Sequence, residues 1–119
     1  MSKSLVHLTT GPENTTRASL ALLVARTAHE EGHDVRLFLA GDAVQLARPA
    51  TGSLAQGIGT GSFGEHWGAL ASAGVPIYLS GMSSQARGLE AEGLSEGAEL
   101  STPQVLVELA DWADTTLVY

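Results

Sequence analysis

The stretch HEEGHDVRLFLAGDAV, residues 29–44, admits two readings, and the choice between them decides the fold. Its first five residues match H-E-x-x-H, in which two histidines one turn apart on a continuous helix bind zinc. Gly32, however, stands where a helix C-cap is expected, and His33 already leads into an apolar run of Val35, Leu37, Phe38 and Leu39. The helix then ends between the two histidines, His33 points away from His29, and no third ligand follows. Residues 29–44 are therefore read as a helix end feeding a buried strand, with no metal site.

Working outward, residues 15–31 have helical periodicity. Leu20, Leu23, Val24 and Ala28 form one apolar stripe, and Ala18, Ala21, Leu22 and Ala25 form a second beside it. A helix apolar over so much of its circumference is covered on more than one side, and the second cover is expected from another subunit. Gly11 and Pro12 break the chain before this helix, Asn14 or Thr15 is placed to cap it, and SLVHLTT (4–10) is the first strand. Towards the C-terminus, GDAVQLAR forms a short helix and residues 49–64 are expected to be a long, mobile loop. A helix over 65–74, a strand over 75–80 and a short helix or turn over 83–90 come next. GLSEGAEL (93–100) reads as a polar connector, followed by a helix over 103–113 and a last strand, TTLVY. Strands separated by helices run parallel with right-handed crossovers. The prediction is one α/β domain over residues 1–119, a three-layer α/β/α sandwich with a mainly parallel sheet of four to five strands, flavodoxin- or Rossmann-like.

Ligands in such sheets collect beyond the carboxyl ends of the strands. The segments expected there are 10–15, 40–43 and 80–88. They supply the candidate ligand-binding residues Thr10, Gly11, Asn14, Asp42, Ser80, Gly81, Ser83, Ser84 and Arg87. A helix N-terminus near 83–84, the amides around Gly81 and the Arg87 cation would suit a small anion. The bland alternative has Ser83 or Ser84 capping the following segment and Arg87 balancing Glu90, Glu92 and Glu96. Ser80 and Ser83 are also the candidates for a serine nucleophile, with His7, His66 and Asp42 as possible partners. The local string SGMSSQ is not the G-x-S-x-G elbow, and His7 and His66 read as packing residues. GTGSFG (59–64) matches G-x-G-x-x-G but lacks the strand that a dinucleotide fingerprint must follow, so no cofactor is expected.

The 119-residue chain has six Lys+Arg against thirteen Asp+Glu, a net charge of −7. An acidic protein without basic runs lacks the charge that drives nucleic-acid binding, and it is repelled by anionic membranes. No apolar stretch approaches the roughly 20 residues of a membrane helix, and MSKSLVHLTT does not read as a secretory signal, so a cytoplasmic protein is expected. The chain has no cysteine, which removes disulfides, thiolate metal sites and cysteine nucleophiles together.

Several separated segments together resemble the DsrE/DsrF-like sulfur-relay family. They are GPEN with the helix after it, HDVRLFLAGDAV, GVPIYLSGMSSQARGL (74–89) and LVELADWADTTLVY (106–119). The resemblance covers nearly the whole chain. It implies a small DsrEFH-like α/β subunit that assembles into trimers or hexamers. In sulfur-carrying members a cysteine at the end of the third strand carries a persulfide. The matching position here is Ser80, with Ser83 at a second cysteine position of some members. Persulfide relay needs a thiolate, which this chain does not have. The resemblance therefore implies a non-catalytic assembly or small-ligand-binding subunit. Its partner would be itself or a cysteine-bearing DsrE-like subunit. The alternative is an enzyme that uses Ser80 or Ser83 in a reaction such as hydrolysis.

Overall fold

Asn14 begins the first helix by accepting a hydrogen bond from the Arg17 amide at 3.0 Å, and Gly32, at φ +91°, ends it by turning the chain back towards the sheet. The computed structural model describes residues 1–119. Its N-terminal half runs β1 (Lys3–Leu8), a 3-10 turn (Pro12–Asn14), α1 (Thr15–Glu30), β2 (Asp34–Leu39), a second 3-10 segment (Gly41–Ala47) and α2 (Pro49–Gly52). Then follow β3 (Gln56–Gly57), β4 (Gly61–Ser62), α3 (Phe63–Ser72), β5 (Ile77–Ser80), α4 (Gly81–Ala86), β6 (Ala98–Ser101), α5 (Pro103–Trp112) and β7 (Thr115–Val118). The main sheet has five strands in the order β6-β5-β2-β1-β7, every pair parallel.

Alternation along the strands separates two unequal faces. Val6, Leu8, Leu37, Leu39, Ile77 and Leu79 point to one side and join α1, α3 and the 41–47 segment in a core of 21 buried residues. Leu5 and Phe38 point to the other side, where α5 alone packs through Leu109. The first three crossovers cover the thick face, and α5 returns across the thin face to bring β7 beside β1. No helix is long and apolar enough to cross a membrane.

Three expectations require correction. Residues 49–64 are not a mobile loop. They form α2 and a small antiparallel hairpin, β3–β4, held to α1 by Thr15 Oγ1 donating to the Gln56 carbonyl at 2.8 Å and the Ile58 amide donating to Thr16 Oγ1 at 3.0 Å. The connector 93–100 contains most of β6, an edge strand whose half-exposed residues carry no apolar alternation. The short helix expected at 83–90 starts instead at Gly81, so its cap is Ser80 and not Ser83 or Ser84. The H-E-x-x-H match is split by the end of α1 at Glu30, and His33 Nδ1 accepts from the Ser2 amide at 3.0 Å.

Candidate functional site

The carboxyl ends of β1, β2 and β5 bring most of the expected residues into one chain of contacts. Ser80, the last residue of β5, accepts a hydrogen bond on its hydroxyl oxygen from the Ser83 amide at 3.1 Å and so caps α4. Ser83 Oγ in turn accepts from the Gly41 amide at 2.9 Å, joining α4 to the end of β2. Arg87 donates through Nε and Nη2 to Asp42 Oδ1 at 3.2 and 3.0 Å and through Nη1 to the Ser83 carbonyl at 3.1 Å. Arg48 closes the network by donating to the Arg87 carbonyl at 2.6 Å. Gly11 lies so near the second strand's turn that a β-carbon there would overlap the Asp42 carbonyl, and glycine alone permits that approach. At Gly81 a β-carbon would stand 3.0 Å from the Ser101 carbonyl of β6. Thr10 is buried beside Gly11, whereas Asn14 is exposed at the start of α1 with its side chain committed to capping.

Each polar side chain of this cluster except two already has a protein partner. Thr10 makes no side-chain hydrogen bond, and the Ser84 hydroxyl is fully buried without one. Asp42 neutralises Arg87, so that guanidinium presents no free charge. Neither Ser80 nor Ser83 has a histidine within hydrogen-bonding distance. His66 Nε2 lies 2.8 Å from the Thr60 carbonyl, which can only accept, so Nε2 carries the proton and Nδ1 faces the Arg26 guanidinium at 3.4 Å. His7 faces the thin side of the sheet, edge-on to Phe38, with Nε2 buried and unpartnered; burial lowers its pKa from the ordinary histidine value.

Strand register puts Ser80 opposite Ser101 and Tyr78 opposite Glu99, and all four share the thin face. Below them, between the sheet and α5, opens a cleft of about 390 Å³ that includes Arg36, Tyr78 and Trp112. No role for these residues was expected from the sequence. The available signal is Arg36, a cation inside the otherwise apolar VRLFL of β2.

The DsrE/DsrF-like family model matches residues 3–119. Among solved structures, the ychN protein from E. coli superposes with a TM-score of 0.82 and 26% identity, each chain covered over 100% of its length. A protein of unknown function from Methanobacterium thermoautotrophicum, MTH1491, shares the fold with a TM-score of 0.71, 15% identity and 100% coverage of both chains. No curated protein sequence matches the chain.

Proposed function

The chain belongs to the DsrE/DsrF-like family, and from that membership we propose that it is a cytoplasmic subunit related to sulfur-relay proteins, lacking a thiol and serving as an assembly and small-anion-binding module. The observation that carries this reading is the unequal covering of α1. Ala18, Ala21, Leu22 and Ala25 are buried in the core, whereas the neighbouring stripe is left partly open, with Leu20 36% exposed and Leu23 and Val24 half-buried. Ile58 of the β3–β4 turn, 88% exposed, is tethered to Thr16, one turn before Leu20 on the same side of the helix. An apolar strip of this kind suits a contact with another subunit. The occupant is either further copies of the chain, in a trimer or hexamer, or a cysteine-bearing DsrE-like subunit. In the second case the partner supplies the persulfide thiolate that Ser80 and Ser83 cannot. A small anion would meet the backbone amides around Gly81.

The alternative, an enzyme using Ser80 or Ser83 in a reaction such as hydrolysis, requires a base beside one of two hydroxyls that already accept backbone hydrogen bonds. A serine-directed acylating probe separates the two readings, since labelling at either serine would favour the enzyme. The direct test of assembly is native mass spectrometry of the untagged protein from its own cells. A homo-oligomer or a mixed complex with a cysteine-bearing subunit is expected. A monomer at micromolar concentration would overturn the proposal.

A further inference from the structure

The thin face of the sheet holds a charge arrangement that the assembly reading does not use. Of the chain's arginines, Arg26 pairs with Glu30, Arg87 pairs with Asp42, Arg48 bonds Gln45 and the Arg87 carbonyl, and Arg17 is exposed. Arg36 alone is half-buried with neither hydrogen bond nor ion pair. Its guanidinium carbon lies 4.1 Å from the centre of the Trp112 ring, and its Nε is buried and unpartnered. A cation withdrawn from water without a counter-charge is costly, and stacking on an indole offsets only part of that cost. Arg36 is also one of the residues that line the cleft between the sheet and α5. Glu99 and Glu108 line the same cleft, yet neither forms an ion pair with Arg36. Val105 and Leu109 complete an apolar wall.

Arg36 shares the cleft with Glu99 and Glu108 but pairs with neither, and a molecule that carries both charges is complementary to such a lining. A lone anion would meet the repulsion of the two carboxylates, and a lone cation that of Arg36. The volume, about 390 Å³, lies at the small end of the range for ligand pockets. We propose that this cleft binds a small apolar zwitterion, a free amino acid in size and charge, with its carboxylate on Arg36 and its ammonium at Glu99 and Glu108. The site lies on the sheet face opposite α1, so its failure and the failure of the assembly reading are separable.

The probe is L-leucine, titrated into the full chain while the Arg36 Nε–H and Trp112 indole N–H signals are followed by NMR. The comparison compounds are 4-methylpentanoate, which lacks the ammonium, and 3-methylbutylamine, which lacks the carboxylate. L-leucine should shift both signals saturably and bind about tenfold or more tighter than either comparison compound, the scale of one charge-assisted hydrogen bond. Arg36→Met should abolish the Trp112 shift, and the Glu99→Gln, Glu108→Gln double variant should bring L-leucine affinity down to that of 4-methylpentanoate. If Arg36→Met fails to fold, the three compounds on the unaltered protein still decide. Absence of a saturable shift, equal binding of all three compounds, or an undiminished shift in a folded Arg36→Met variant overturns the proposal.

Discussion

At position 80 a hydroxyl stands at the end of a strand and at the start of a helix, and the second location accounts for its hydrogen bond. The Ser83 amide is one of the donors left unpaired in the first turn of α4, and Ser80 Oγ satisfies it. Ser80→Ala should therefore cost about 1 kcal/mol in urea unfolding, with no change in subunit count. A change in subunit count would mean that the hydroxyl itself reaches a partner. His7 makes the second prediction at this scale. Its folded pKa is lowered by burial, so between that value and the ordinary histidine pKa the unfolded chain binds more protons than the folded one. Stability then rises with pH through this window, and acidification below neutrality erodes it until His7 titrates in the folded state as well. His7→Phe keeps an aromatic ring against Phe38 and removes the titration, so its melting temperature should fall less between neutral and mildly acid pH than that of the unaltered protein. Equal slopes would assign the pH dependence to other groups.

At the scale of elements, what could be read from the sequence follows from which force holds each piece. α1, β1, β2 and α3 bury apolar side chains at regular intervals, and those intervals are visible in a string of letters. β6 rests on backbone pairing at a half-exposed edge. The β3–β4 hairpin rests on hydroxyls that bond main-chain groups, such as Thr60 Oγ1 donating to the Thr16 carbonyl at 3.3 Å. Neither arrangement leaves a periodic trace, so the sequence of 49–64 reads as a Gly-rich loop. The candidate site divides in the same way. That Ser80, Asp42 and Arg87 meet follows from strands ending on one side of a parallel sheet. That Asp42 occupies Arg87, or that Arg36 stays unpaired, depends on side-chain placement across dozens of residues. The hairpin offers a direct check of its own packing. A β-carbon at Gly57 would overlap the hydroxyls of Thr60 and Ser19, so Gly57→Ala should destabilise the fold by about 1–3 kcal/mol. Adding Thr60→Ala makes part of the needed room, so the double variant should lose less than the sum of the single losses in chemical denaturation. Strict additivity would mean that the hairpin moves aside rather than clashing.

For the whole molecule, charge and apolar surface pull association in opposite directions. The stripe of Leu20, Leu23, Val24 and the neighbouring Ile58 favours covering, while each chain carries a net charge of −7. Identical subunits therefore assemble against mutual repulsion, which salt screens over a Debye length of about 10 Å at 0.1 M. A homo-oligomer should tighten as ionic strength rises from low to moderate values, read as a lower dissociation constant in sedimentation equilibrium. A complex with a partner of opposite net charge should loosen over the same range, because screening then weakens attraction. Leu20→Glu tests whether the stripe is the contact, since it puts a further negative charge at the partly exposed edge of α1 without touching the core residues beneath. The variant should keep the far-ultraviolet circular dichroism of the native fold and sediment as a monomer. An intact oligomer in that variant would move the interface away from α1, and the salt response would then show which sign of surface the true contact joins.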